Sequence, residues 1–214
     1  MEPAAGFDAF LQHVSSRLAL VEAGDPGHSR GTEGTHAAVM VFLRRAPDGA
    51  GTDDEMGTAQ VLFIKRADRE GDPWSGHIAF PGGRGEDTDL TLLDIAIREA
   101  TEEVGIDART EGRVLGRLPT LRPRSPRLPP LDVTPFVAAA SAGAVVRPQK
   151  DEVAEAFWVP LASLRKGRTE TVRFEGGPEF PAYPSPRGPI WGITERILTG
   201  FMEILGAYTE PSAR

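Results

Sequence analysis

The sequence predicts an α/β protein with one mixed sheet between helices. Three observations carry this: helical and strand-like segments interleave along the chain, the strand-like runs are short and apolar, and long amphipathic periodicities occupy both ends and the middle. At 214 residues, with 40% apolar and 26% charged residues, the chain suits one globular domain able to bury its own core. The expected organisation is an N-terminal helix over residues 1–24 packed on a domain of residues 25–214.

Taken in order, Phe7, Phe10, Leu11, Val14 and Leu18 fall at helical spacing and open the chain as an amphipathic helix. Gly24 to Thr35 reads as a loop. Ala37 to Leu43 is an apolar run short enough for a buried strand, and Val61 to Ile64 is its hairpin partner across a polar loop from Pro47 to Thr58. Ile78 to Phe80 is a short strand ending at Pro81-Gly82-Gly83. Leu90 to Val104 is a helix, with Thr88 or Asp89 as its cap. Strands follow at Val114–Leu121, Val133–Ala139 and Ala154–Val159, the first two separated by a Pro- and Arg-rich loop from Arg122 to Pro130. A helical turn at Leu161–Leu164 and a small hairpin of Val172–Phe174 and Glu179–Ala182 come next. The closing helix spans Ile190 to Leu205, with Ile193, Ile197, Phe201 and Ile204 on one stripe.

Composition excludes several chemistries. There is no cysteine, so no disulfide, thiolate metal site or cysteine nucleophile exists. A formal charge of −7 argues against a broad nucleic-acid-binding face. It leaves anionic substrates open, because carboxylates holding a divalent metal attract phosphate through it. The chain lacks a basic, apolar leader, an apolar run of about 18 residues and a peroxisomal tripeptide, which makes a cytoplasmic protein the expectation.

Chemistry concentrates in Phe80 to Ile106, FPGGRGEDTDLTLLDIAIREATEEVGI. Leu93, Ala96, Ile97, Ala100 and Val104 form one apolar stripe of the helix. Glu99, Glu102 and Glu103 gather three carboxylates on a neighbouring face. Their mutual repulsion destabilises the helix unless a cation offsets it, and hard divalent ions prefer such oxygen ligands. A solvated acidic face is the plain alternative for these three residues taken alone.

The whole string resembles the Nudix box: Gly, five residues, Glu, seven residues, then Arg-Glu-apolar-x-Glu-Glu-x-Gly-apolar. From Arg98 to Ile106 the pattern is complete, with Ala100 in the apolar slot. It departs at Asp89, which stands where the box has Glu and is separated from Arg98 by eight residues rather than seven. The resemblance implies a Nudix-type α/β/α sandwich and hydrolysis of a diphosphate bond in a small nucleotide derivative. It implies Mg2+ or Mn2+ held by Glu99, Glu102 and Glu103 with the Gly83 carbonyl, and Arg98 orienting the glutamates. For the base it leaves a box glutamate such as Glu102, or a later acid among Asp151, Glu152 and Glu155, with Glu152 the first choice.

Flanking residues are similar to the coenzyme A diphosphatase branch: Leu62 to Arg66, Val133 to Val137, Asp151 to Val153, Phe157 to Leu161 and Ile190 to Thr194. Between Ala67 and Gly76 the chain departs from that branch, being one residue longer, acidic in places and without its histidine. Coenzyme A or its thioesters are the first substrate expectation, ADP-ribose or a dinucleotide the second, and a non-catalytic nucleotide sensor the third. Arg66, Arg69 and Arg124 are candidate phosphate donors, with Arg122 and Arg127 beside Arg124. Trp74 suits base stacking or a half-buried loop, and His77 suits substrate contact or a strand edge. Trp158 and Trp191 are expected in the core, and a homodimer stays open.

Overall fold

The computed structural model describes residues 3–24, 36–47, 58–71, 74–123, 130–173 and 177–206. Helix α1 spans Pro3–Gly24 and buries Phe7, Phe10, Leu11, Val14 and Leu18, the five residues its periodicity singles out. The central strand β1 (His36–Arg45) is flanked by a parallel β6 (Asp132–Ala140), in register from His36–Asp132 to Leu43–Ala139. Antiparallel β5 (Gly112–Arg117) lies beyond β6. On its other side β1 meets antiparallel β2 (Ala59–Arg66) only from Leu43–Val61 to Arg45–Ala59. Strand β7 (Val153–Pro160) covers the outer edge of β2 along its whole length.

Beyond Leu43 and Val61 the strands β1 and β2 splay, and two short strands fill the gap. Strand β3 (Ile78–Ala79) pairs with β2, and β4 (Gly82–Arg84) pairs with β1 at Ala37–Val39. The sequence did not predict β4, because Gly-Gly-Arg carries no strand propensity. It forms because Gly82 adopts φ +153° and passes so close to Ala38 and Val39 that any Cβ would overlap their atoms. That close approach requires glycine.

Helix α2 (Leu92–Val104) covers one face of the sheet, packing Ile95, Ala96, Ile97, Ala100 and Val104 against Ala38, Met40, Phe42, Leu62 and Ile64. The opposite face is covered by α1, α3 (Leu161–Leu164) and α4 (Gly192–Leu205), all sharing the second core cluster. The hairpin of β8 (Glu170–Arg173) and β9 (Glu179–Ala182) forms a small separate sheet. The structure is thus the expected α/β class with a mixed central sheet and helices on both faces.

Several boundaries move. Thr91, not Thr88 or Asp89, caps α2, its hydroxyl accepting from the Asp94 amide at 3.1 Å. Asp89 is diverted because its carboxylate accepts from the Glu86 amide and from Arg98. Leu90 is accordingly left outside the helix and exposed. Strand β5 stops at Arg117, and Leu121 instead forms a separate two-bond bridge with Val133. Helix α4 starts two residues later than expected because Ile190 is paired to Tyr183. Its buried stripe is Ile197, Leu198, Phe201 and Leu205, with Ile193 and Ile204 at the margin. Most of the Gly24–Thr35, Pro47–Thr58 and Arg122–Pro130 segments, with Phe174, lie outside the described residues.

Phe10 is wholly buried between α1 and the sheet. Phe10→Ala should therefore cost roughly 3 kcal/mol in urea unfolding, whereas Leu20→Ala, on the exposed side of the same helix, should stay within about 0.5 kcal/mol. Equal effects would mean that α1 is not docked as described.

Candidate active site

The wedge of β3 and β4 brings the Gly82-Gly83 backbone against α2. Glu103, the next-to-last residue of α2, is 2% exposed and accepts a 2.8 Å hydrogen bond from the Gly82 amide. Glu99, one turn earlier, lies so near Gly83 that a Cβ there would overlap its carboxylate. Burial pushes the Glu103 carboxyl up to about 8, against the lowering effect of the Gly82 amide and with the negative charge of Glu99 adding to the rise. Burial also raises Glu99, the Arg98 charge opposing this and Glu102 and Glu152 adding to it. Two carboxylates withdrawn from water side by side are electrostatically unsatisfied.

Arg98 ties the approach to the helix together. Its Nε and Nη2 donate to Asp89 at 3.1 to 3.3 Å, Nη2 also donates to the Arg84 carbonyl at 2.9 Å, and Nη1 donates to Glu102 at 3.0 Å. The Glu99 carboxylate lies 3.1 Å from Nη2. Burial works against this charge, but the bond from Asp89 and the surrounding carboxylates raise its pKa further, so the guanidinium stays protonated. The shorter Asp89, one residue farther from the arginine than the box glutamate, thus still reaches Arg98.

Glu152 arrives from the β6–β7 loop, which is fastened to the end of α2. The Gln149 amide donates to the Glu103 carbonyl at 2.9 Å and the Arg147 amide to the Val104 carbonyl at 2.8 Å. The Ala67 amide donates to the Glu152 carbonyl at 2.8 Å, and Arg69 Nη2 donates to the Asp151 carbonyl at 2.8 Å and to Glu152 Oε1 at 3.3 Å. The Glu152 charge acts on both Glu99 and Glu103, as that of Arg66 does on Glu103. Glu99, Glu103, Glu152, Arg66 and Arg69 therefore share one locality, with Arg98 and Glu102 along its helical rim. Glu155 does not join them: it lies on the other face of β7, bonded to Arg187.

Among the described residues no three carboxylates or imidazoles already stand in a metal-holding array. Glu102 is drawn to Arg98 and its side chain is 55% exposed. The donor chemistry nevertheless suits a hard cation: the buried Glu103 and the half-buried Glu99 are adjacent carboxyls whose charge opposes burial. Trp74 and His77 are half-buried, and the ring of His77 lies 4.7 Å from Trp191. Trp191 is itself half-exposed rather than in the core, because it ends an extended segment just before α4. Trp158 is half-buried beneath the Arg44 guanidinium, 4.2 Å from its ring centre. Arg122 pairs with Asp132 at the start of β6, and Arg124 and Arg127 lie outside the described residues. Sequence reasoning missed the fastening of the Glu152 loop, since those bonds use backbone groups that leave no mark in side-chain type.

Compared with known families, residues 34–178 match the NUDIX domain. The chain belongs to the Nudix hydrolase family. It is 35% identical over 192 residues to the "Uncharacterized Nudix hydrolase NudL" of Yersinia enterocolitica, covering 88% of this chain and 89% of that protein. It is 39% identical over 101 residues to a protein of the same name from Pectobacterium atrosepticum, covering 47% and 50%. It is 40% identical over 107 residues to the "Uncharacterized protein C14C4.10c" of Schizosaccharomyces pombe, covering 49% and 32%. The chain thus matches only a third to a half of the length of the last two. Among solved structures, the fold is similar to a MutT/nudix family protein from Enterococcus faecalis, with TM-score 0.52, 19% identity and 92% and 74% coverage. RenU, a Nudix hydrolase from M. smegmatis, gives TM-score 0.51 at 18% identity with 86% and 94% coverage. Nudix hydrolases generally use divalent metal ions. No described helix of this one is long and apolar enough to cross a membrane.

The raised Glu103 carboxyl gives a pH signature. The folded state holds this proton up to about pH 8, whereas an unfolded glutamate loses it near 4.3. Between those values the native state binds more protons, so stability falls as pH rises. With a chelator present, the melting temperature should drop by several degrees from pH 5 to 8.5, and Glu103→Gln should flatten that slope. A wild-type slope unchanged in the variant would show that Glu103 is not the buried group responsible.

Proposed function

We propose that the protein is a divalent-metal-dependent diphosphatase acting on a nucleoside-diphosphate derivative, with coenzyme A or its thioesters as the first candidate substrate. The observation that supports this most is the buried Glu103 with the half-buried Glu99 beside it on the box helix, and Arg98 holding its neighbours. Glu99, Glu102, Glu103 and the Gly83 carbonyl are the residues that would hold Mg2+ or Mn2+. The bound cation supplies neutralisation of the diphosphate oxygens where negative charge develops.

The rest is the work of this chain's own groups. Arg98 fixes the rotamers of Glu99 and Glu102, so the ligand oxygens do not have to be ordered during the reaction. Glu152 is the group we assign as base. Its side chain is 45% exposed, which gives water access, and Arg69 holds it. Water attacks phosphorus, the bond from phosphorus to the bridging oxygen breaks, and the proton passes to the Glu152 carboxylate. Arg66 stands where it can balance phosphate charge next to Glu103.

The reading is tested with purified protein, Mg2+ or Mn2+, and a panel of coenzyme A, acyl-coenzyme A, ADP-ribose and dinucleoside polyphosphates, with products identified by mass. Coenzyme A should yield 3′,5′-ADP and a phosphopantetheine product. Glu103→Gln should lower kcat by several orders of magnitude, since each 1.36 kcal/mol of lost stabilisation is about tenfold. Glu152→Gln should lower it by roughly 10²–10⁴ with little change in metal affinity. Turnover confined to ADP-ribose or dinucleotides would remove coenzyme A, and no turnover of any diphosphate with retained nucleotide binding would make the protein a sensor.

A further inference from the structure

The last two residues of β2 send their side chains to opposite faces of the sheet. Arg66 lies on the α2 side, where its charge acts on Glu103. Lys65 follows Val61 and Phe63 on the other side, opposite Glu155 of β7. On that second face Arg187, from the loop between β9 and α4, donates through Nε to Glu155 Oε1 at 2.6 Å and lies 6.0 Å from the Phe157 ring centre. Near the same strand end, where His77 receives the Arg66 amide, stand three half-buried rings, with His77 to Trp191 at 4.7 Å and Phe180 to Trp191 at 5.5 Å.

We propose that Arg187 is a specificity-determining residue that binds a second phosphate group, carried by the nucleoside end of the substrate, while Trp191 and its neighbouring rings receive the base. This rests on the diphosphatase reading for the position of the scissile bond. Three features carry it.

The first is rigidity. The loop is closed at its base by two backbone bonds between Tyr183 and Ile190, at 2.8 and 2.9 Å. Within it, Ser185 donates to the Gly188 carbonyl at 2.6 Å and accepts from the Arg187 amide at 3.3 Å. An arginine on so short and braced a loop loses little freedom on binding.

The second is the way the guanidinium is held. Glu155 takes Nε, and Nη1 has only a 3.5 Å contact with the Pro186 carbonyl, so among the described residues Nη2 donates to nothing. The side chain is 45% exposed. The free edge is the one that meets a phosphate in a bidentate manner. Lys65 adds a second positive charge on the same face, so the Glu155 carboxylate does not cancel the local charge.

The third is reach. The two faces are joined at the end of β2, where the Arg66 amide donates to the His77 carbonyl at 3.0 Å. With its diphosphate at Glu99 and Glu103, the ligand extends its nucleoside around this strand end, where His77 neighbours Trp191 and where Lys65 pairs with Glu155, the partner of Arg187. Face-packed layers lie roughly 10 Å apart, a distance a nucleoside spans.

The test measures binding of products rather than turnover. Calorimetry compares adenosine 3′,5′-bisphosphate with AMP, both without metal, on wild type, Arg187→Gln and Arg113→Gln, the last being an exposed arginine on β5 at the far edge of the sheet. Wild type should bind the bisphosphate at least tenfold more tightly than AMP. Arg187→Gln should remove that preference while leaving AMP affinity within twofold, and Arg113→Gln should keep it. Equal affinities in wild type, or a preference that survives Arg187→Gln, would overturn the proposal. Lack of turnover on every diphosphate, with this preference intact, would instead count against the diphosphatase reading alone.

Discussion

A carboxylate taken out of water next to another carboxylate is costly to bury, and here that arrangement lies at the seam between helix and sheet. Glu103 sits beneath the Gly82 amide with Glu99 beside it. The bond fixes the rotation of α2 about its axis, because Ala96, Ala100 and Val104 must meet the sheet while Glu103 meets β4. It also dictates glycine at position 82, which must clear the backbone of β1, while a side chain at Gly83 would displace the Glu99 carboxylate. The splay of β1 from β2 follows, since β3 and β4 need room between them to deliver that amide.

The remaining parts of the site are attached to this seam by backbone bonds more than by side chains. The Glu152 loop is fastened to the last carbonyls of α2, and its own carbonyl receives the amide just beyond β2. Helix, wedge and loop are therefore tied together by hydrogen bonds, which is the condition for presenting carboxylates at fixed separation. The charges are arranged in the same economical way: Arg98 links Asp89, Glu99 and Glu102, so one cation organises three of the acids before any metal arrives.

The sequence made the box helix readable because two periodicities coincide there, an apolar stripe and a carboxylate face. The five α1 core positions were readable for the same reason. The cap of α2 was not, because Asp89 is a better cap by type than Thr91 but is held by Arg98, an interaction nine residues away. Strand β4 was hidden because its cause is the neighbouring backbone of β1 rather than its own residues. Glu155 and Glu152 look alike in sequence, but Glu155 lies within β7 and bonds Arg187, whereas Glu152 lies in the turn before that strand and is held by Arg69. Arg187 carried no signal at all, since its meaning depends on Glu155 and Phe157 from a distant strand.

The account stands on Glu103 as a buried acid that releases its proton when a divalent ion binds. Calorimetric titration with Mn2+ near pH 7, repeated in two buffers of different ionisation enthalpy, measures affinity and proton release together. Wild type should release about one proton per metal, and Glu103→Gln should release almost none while binding roughly 10–100-fold more weakly. Equal affinity and no proton release in both proteins would contradict the account.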